Sequence, residues 1–318
     1  MGISFIIPYY QLSKNLLLRA VDSIVDAGLT QDYEIIVVDD GTPNSEAGQW
    51  LEGYERVRYA WQENGGLSAA RNTGISLARM DYLQFLDADD YFFPGALRQL
   101  EQLLQEHHPE VLQFGYKHAY SQTTESVRQK ELAIKRYDSG AEMMAKQSFF
   151  AGAWSYVVSR KAIGDLRFMP GIYHEDEDFT PQLFAQSGVT IMTNITAYAY
   201  YQRQGSIIND ADPAKTDKRF RDMLGIIERF DEWIAASESI RRQAFIRRKD
   251  QFALSIIYEA LRRHPDFSTI VSEIIPHLAN HGCWPLPKAR YTRRYSLFRV
   301  LTDKRWKLRI MRKILYSK

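Results

Sequence analysis

Asp87, Asp89 and Asp90 stand in Leu86-Asp87-Ala88-Asp89-Asp90, where the apolar run Tyr82-Leu83-Gln84-Phe85-Leu86 ends. An apolar run of strand length that stops at carboxylates places the acids where a buried strand leaves its sheet. Open α/β sheets collect their ligands at that end of the strands. Three carboxylates so close together repel one another unless a hard cation lies among them. Mg²⁺ and Mn²⁺ prefer oxygen ligands and keep positions open for substrate phosphates. The pattern therefore suggests a metal and diphosphate site. Aspartates after a strand also cap a following helix or begin a turn, so the cluster by itself leaves both readings open.

A second acidic cluster, Glu175-Asp176-Glu177-Asp178, precedes Phe179, Leu183 and Phe184, whose spacing suits the apolar face of a short helix. Carboxylates in a first helical turn are favoured by the helix dipole and by free backbone N–H groups. Pro181 is expected in or near that turn, where its missing donor costs little. A plain capping cluster is the alternative to a catalytic one. His174, immediately before it, fits either a metal ligand or a packed side chain.

The elements that must position these acids are legible as alternating strands and helices. Ile3-Ser4-Phe5-Ile6-Ile7 reads as a first strand that stops at Pro8-Tyr9-Tyr10, and Glu34-Ile35-Ile36-Val37-Val38 as a second that runs into Asp39-Asp40-Gly41-Thr42. Between them Leu17, Leu18, Val21, Ile24 and Val25 recur at helical spacing, which predicts a right-handed βαβ crossover. Asn64-Gly65-Gly66 then begins a glycine turn and a small-residue helix carrying Arg71. Gly65 and Gly66 permit positive φ or close backbone approach, and the Arg71 guanidinium suits a phosphate.

Five segments in this order resemble a family 2 glycosyltransferase with the GT-A nucleotide-sugar fold. They are IIPYYQ (Ile6 to Gln11), EIIVVDDGT (Glu34 to Thr42), NGGLSAARNTGI (Asn64 to Ile75), LQFLDADD (Leu83 to Asp90) and YHEDEDF (Tyr173 to Phe179). The chain departs at Gln11, where that family usually carries Asn. The resemblance implies a mostly parallel sheet flanked by helices, and a Mn²⁺ or Mg²⁺ ion held by Asp89 with Asp87 and Asp90 in support. It implies that Asp40, with Asp39 beside it, hydrogen-bonds a nucleobase flanked by Pro8 and Tyr10, and that Asn64, Gly66, Arg71 and Asp87 belong to the donor nucleotide site. It also implies that Glu175 and Asp176 form the catalytic pair, with Asp176 as the base of an inverting transfer. Glu177-Asp178 is a second Glu-Asp pair, and the first is preferred because it follows Gly171-Ile172-Tyr173-His174 at family spacing. Tyr198 to Ser206 resembles the family's aromatic strand, after which Arg203 is in line to reach the diphosphate.

The expected reaction moves a sugar from a nucleotide-diphosphate donor, with UDP weighted by family, to a hydroxyl of a glycan or lipid-linked acceptor in surface-polysaccharide synthesis. A non-catalytic nucleotide-binding or scaffold protein of the same fold is the alternative, against which both acid clusters argue. A nucleotidyltransferase would carry a glycine-rich basic loop after the first strand, where this chain has Pro8-Tyr9-Tyr10-Gln11.

Composition agrees with a globular chain of 318 residues, 45% hydrophobic and 25% charged. The single cysteine, Cys283, excludes an intrachain disulfide and a cysteine zinc cluster. No apolar stretch approaches the roughly 20 residues of a membrane-spanning helix, and a strand begins directly after Met1, so a cytoplasmic protein is expected. The expected organisation is a GT-A domain over 1–215 and a helical region over 216–318. From Lys288 to Lys318, twelve Lys and Arg stand against Asp303 alone, a charge of +11, while the remainder carries −9. Leu297, Val300, Leu301, Leu308, Met311 and Leu315 share a helical arc there. A basic amphipathic helix of this kind predicts peripheral contact with anionic lipid on the inner face of the cell membrane. Packing on the protein's own core is the alternative, and no nucleic-acid motif accompanies the charge.

Overall fold

All eight residues of β1 (Gly2–Tyr9) are buried, as expected for a parallel strand covered on both faces. In the computed structural model, which describes residues 1–121, 124–203 and 212–316, β1 lies inside a nine-stranded sheet. The other strands are β2 (Asp32–Asp39), β3 (Val57–Trp61), β4 (Tyr82–Phe85), β5 (Tyr91–Phe92), β6 (Val111–Ala119), β7 (Ile134–Tyr137), β8 (Tyr156–Ser159) and β9 (Thr190–Tyr201). Their order is β3-β2-β1-β4-β8-β6-β9-β5, with β7 also paired to β9. The β1, β2, β3 and β4 pairings are parallel, whereas β8 runs antiparallel to both β4 and β6.

The helices along this stretch of the chain are α1 (Lys14–Val25), α2 (Ala47–Trp50), α3 (Leu67–Leu77), α4 (Ala96–His107), α5 (Gly140–Lys146), α6 (Arg160–Ile163) and α7 (Glu175–Gln186). α1 buries Leu17, Ala20, Val21 and Ile24, the stripe expected for the crossover between β1 and β2. α3 approaches β1 so closely that a Cβ on Gly74 would lie 2.2 Å from Ile6 Cγ2, so only glycine fits there. β2 and β3 lie on one side of β1 and β4 on the other. The order of strand addition thus reverses at β1, and the C-terminal ends of β1, β2 and β4 border the crevice where α/β sheets bind ligands. The sequence-predicted α/β sheet with flanking helices is what forms.

The contacts divide the chain into two compact units. One comprises Met1–Gly140, Phe150–Gly171 and Gln182–Ser206, and the other Ala141–Phe149, Ile172–Pro181 and Ile207–Lys318. The second is helical: α8 (Pro213–Ala235), α9 (Ser239–Arg263), α10 (Phe267–Thr269), a π-helical turn at Ile270–Ile274, α11 (Ile275–Asn280), α12 (Arg293–Thr302) and α13 (Arg305–Leu315). Phe220, Ile226, Ile227 and Phe230 of α8 and Phe252, Ala253, Ile256 and Ile257 of α9 are buried. The stretch Ile172–Pro181, with Glu175 and Asp176, groups with these helices, where the sequence placed it in a first domain running to 215.

The basic tail differs from the single amphipathic helix read in the sequence. It is two helices, because Thr292 caps α12 through Tyr295 N and the chain turns extended at Lys304 before α13. Leu308 and Met311, expected on a lipid-facing stripe, are buried instead. Arg312 donates to the carbonyls of Ala260, Leu261, His264 and Pro265, filling acceptors at the end of α9. Leu297, Val300, Leu301, Trp306, Ile310 and Ile314 are exposed. Among the described residues, no helix is long and apolar enough to cross a membrane.

Candidate active site

In the first unit the sequence-predicted acids gather where β1, β2 and β4 end. Asp39 ends β2, Asp40 follows it, and both are buried. Asp39 accepts from Thr42 N–H at 2.9 Å and from the Tyr59 hydroxyl at 2.8 Å. Asp40 accepts from Gln62 Nε2 at 2.7 Å, Gly65 N–H at 2.9 Å and Gly66 N–H at 2.7 Å, while Asn64 Nδ2 donates to the Asp40 carbonyl. The carboxylate therefore folds the glycine turn ahead of α3 around itself. Gly41 has φ +78°, and a Cβ there would lie 2.6 Å from Asn64 N, so glycine alone lets the two loops meet. Asn64 and Gly66 brace Asp40. Pro8 is buried in β1 opposite Val38, so of the expected flanking pair only Tyr10, 45% exposed, presents a ring. Gln11 has φ 47°, its N–H donates to Thr42 Oγ1, and its side chain reaches the Tyr10 hydroxyl.

The Asp87 cluster leaves β4 in a tight turn, with Asp90 N–H donating to the Asp87 carbonyl at 2.9 Å. Its three carboxylates have different surroundings. Asp87 is 26% exposed and accepts from Arg71 Nη2 at 3.0 Å. Arg71, expected to reach a phosphate directly, is instead buried over the Phe168 ring and orients Asp87. A buried guanidinium needs such a carboxylate partner. Asp89 is 22% exposed and paired with Arg203 Nε at 2.6 Å. Asp90, expected to support the metal, turns inward, where Tyr198 Oη and Tyr201 N–H each donate to it at 2.7 Å. Burial, then the charges of Asp89 and Asp87, raise its pKa well above the usual carboxylate range. Asp90 thus ties the cluster to β9, leaving Asp87 and Asp89 as the accessible oxygen donors.

Two further features are harder to read in the sequence. Arg19 of α1 lies between the rings of Tyr91 and Tyr201, at 4.7 and 4.5 Å, and donates to the Asp89 carbonyl. An aromatic group also adjoins the acids: Trp154 stacks on Tyr198 at 4.2 Å and on Tyr200 at 5.7 Å, with Tyr116 edge-on at 5.0 Å. Asp87 N–H donates to the Tyr198 hydroxyl oxygen, which joins this group to the acid turn. The signal was a period-two spacing, Tyr116 and His118 on β6 opposite Tyr198 and Tyr200 on β9.

In the second unit α7 begins with the other acidic cluster. Pro181 is its seventh residue, deeper than the first turn expected for it. Four adjacent acids are sorted by cations from α8 and α9. Arg229 Nε lies 2.7 Å from Asp178 Oδ1, and Arg248 pairs with Glu177 while donating to the Phe149 carbonyl. Asp178 is 1% exposed, and burial pushes its pKa up to about 6 against the pull of Arg229. Glu175 and Asp176 are half-buried at the start of the helix. His174 precedes them with φ 61°, its carbonyl accepting from Glu177 N–H, so it makes the turn into the helix. Ser206, which the aromatic-strand resemblance also covered, lies outside the described residues.

A mostly parallel sheet with acids at its switch point and helices on its faces is the GT-A architecture. The chain belongs to glycosyl transferase family 2, whose description matches residues 4–167, just over half of its length. That match ends before Glu175. EpsJ, an uncharacterized glycosyltransferase of Bacillus subtilis, is 29% identical over 220 residues, covering 64% of this chain and 62% of EpsJ. The glycosyltransferase GlyA of Streptococcus pneumoniae is 28% identical over 222 residues, covering 64% of this chain and 31% of GlyA. The chain thus spans less than two thirds of the length of either. In fold it is similar to S. aureus TarS residues 1–349, solved with UDP-GlcNAc, with a TM-score of 0.62 at 19% identity over 99% of this chain and 90% of that one. The TarS complex with UDP gives a TM-score of 0.65 at 17% identity, covering 98% of this chain and 90% of that one.

Proposed function

We propose that this protein transfers a sugar from a nucleoside-diphosphate donor, with UDP the first choice, to a hydroxyl of a glycan or lipid-linked acceptor, with inversion at the anomeric carbon. The reading rests chiefly on Asp87 and Asp89, two partly exposed carboxylates at the sheet's switch point, each oriented by an arginine. The UDP and UDP-GlcNAc complexes of TarS favour a uridine donor. Asp87 and Asp89 fit Mn²⁺ or Mg²⁺: their oxygens are hard donors, and they are accessible where Asp90 is not. When bound, such an ion neutralises charge on the departing diphosphate.

The chain's own residues supply the rest. Arg71 holds Asp87 through Oδ1 at the partly exposed end of β4, and Arg203, paired to Asp89, is a cation that a phosphate oxygen recruits. Tyr10 offers a ring for a nucleobase beside the braced Asp40 loop. The acceptor hydroxyl loses its proton to a carboxylate, and Asp176, half-buried in the first turn of α7, is the proposed base because the Glu175-Asp176 pair stands at the family's spacing after Gly171-Ile172-Tyr173-His174. Release of free nucleoside diphosphate from nucleotide sugars supplied with Mn²⁺ or Mg²⁺ tests this reading.

The tail supports a peripheral contact with anionic membrane. Along α13 exposed Trp306, Ile310 and Ile314 form an apolar ridge beside exposed Arg305, Arg309 and Lys313, both at four-residue spacing. Each basic residue near an anionic surface contributes about 1 kcal/mol. The triple variant Arg305→Gln, Arg309→Gln, Lys313→Gln should therefore bind anionic vesicles roughly 10²-fold more weakly, and wild-type binding should fall with salt. Cosedimentation reads both. Equal binding to neutral vesicles, or a variant that binds like the wild type, contradicts the contact.

A further inference from the structure

The second unit holds a cluster of nitrogen and oxygen donors that the transfer reaction does not use. His277 on α11 and His281 just beyond it are four residues apart, and their rings stack at 4.7 Å with 27° between planes. Four-residue spacing puts both on one helical face. Glu228 and Asp231 of α8 meet them there. One ligand atom each from Glu228, His277 and His281 lies within 4.8 Å of the others.

From this geometry we infer that Glu228, His277 and His281 form a Zn²⁺ site joining α8 to α11. His277 Nε2 is buried, has no hydrogen-bond partner, and stands 3.5 Å from Glu228 Oε1. That distance exceeds an ordinary N–H···O contact of about 2.7–3.2 Å. It matches the separation of about 3.3 Å between two ligand atoms on a tetrahedral zinc with metal–ligand bonds near 2.0–2.1 Å. His281 is prepared in a different way. Its Nδ1 is 2.7 Å from Asp231 Oδ2, which leaves Nε2 with its lone pair for a metal. Asp231 is itself held by Lys249, whose ammonium also donates to the His281 carbonyl. A carboxylate behind a ligating imidazole fixes the ring and strengthens its donation.

The chemistry of the donors selects the ion. Two imidazoles and one carboxylate suit Zn²⁺, whereas Mg²⁺ and Mn²⁺ prefer oxygen ligands such as Asp87 and Asp89. Three protein ligands leave a fourth position for water. The site is therefore a clip between two helices of the helical unit, and its ion is distinct from the cation of the transfer reaction.

Equilibrium dialysis of the full chain against ZnCl₂, with Mg²⁺ in excess over zinc to occupy the oxygen-only site, tests the inference. Bound metal is counted by atomic emission. Wild type should retain one zinc per chain and melt at a higher temperature with zinc than without. His277→Ala and His281→Ala should lose it, Asp231→Asn should bind about 10- to 100-fold more weakly, and Asp89→Ala should bind like the wild type. Glu228 is 54% exposed, so Glu228→Gln gives the same test without disturbing the core if a histidine variant fails to fold. Wild type without zinc, histidine variants that keep it, or zinc lost in Asp89→Ala but kept in His277→Ala would each overturn the site.

Discussion

Replacing Asp89 by alanine is expected to reduce sugar transfer by about 10³-fold or more while leaving the fold standing. Charge neutralisation by a bound divalent ion is worth several kcal/mol of transition-state stabilisation, and each 1.36 kcal/mol is a factor of ten in rate. The structural cost is smaller. Asp89 is 22% exposed and its partner Arg203 is 29% exposed, so water reaches the cation left behind and the loss is less than that of a fully buried pair. Asp90→Ala should behave in the opposite sense, lowering stability first, because it removes the acceptor for Tyr198 and Tyr201 inside the sheet. Turnover and melting temperature measured on both variants distinguish the roles. EDTA should silence the wild type, and Mn²⁺ or Mg²⁺ should restore it. An Asp89→Ala protein with most of its activity would remove the metal from the account.

Asp176→Asn should lower the transfer rate by about 10²- to 10⁴-fold, the usual contribution of a general base, with donor affinity nearly unchanged. The amide keeps the size and hydrogen bonding of the carboxylate but takes no proton. Asp178→Asn is the control. Its side chain is buried against Arg229, so no acceptor hydroxyl reaches it, and the change should weaken folding more than turnover. Paired measurement of kcat and donor Kd decides between them. If Asp178→Asn is dead and Asp176→Asn active, the base is the second acid of the other Glu-Asp pair.

How much of this was legible in the sequence depended on whether a feature was local. The strands ending at Tyr9, Asp39 and Phe85, and the α1 crossover, were readable because apolar runs and helical spacing are properties of consecutive residues. The acids at their ends were visible for the same reason. Their division of labour was not, since it is set by partners far away in the chain. Arg71 faces inward because Asp87 and Phe168 receive it, and Asp90 because Tyr198 and Tyr201 do. Nothing in Leu86-Asp87-Ala88-Asp89-Asp90 tells one carboxylate from another. The tail was misread in a related way. Leu308 and Met311 share a stripe with Leu301 only on one continuous helix, and the break at Asp303-Lys304 turns them inward.

The proposed reaction breaks the bond between the sugar's anomeric carbon and the diphosphate of a nucleotide sugar, so that the nucleoside diphosphate leaves intact, with the help of Asp87 and Asp89. A nucleoside-diphosphate release assay over a panel of nucleotide sugars, with Mn²⁺ or Mg²⁺, measures that step directly, water serving where no acceptor is supplied. The account predicts metal-dependent release from at least one donor, a uridine diphosphate sugar first, and none above background from the Asp87→Ala, Asp89→Ala double variant. Wild-type release no greater than that of the double variant, for every donor and either metal, would contradict it.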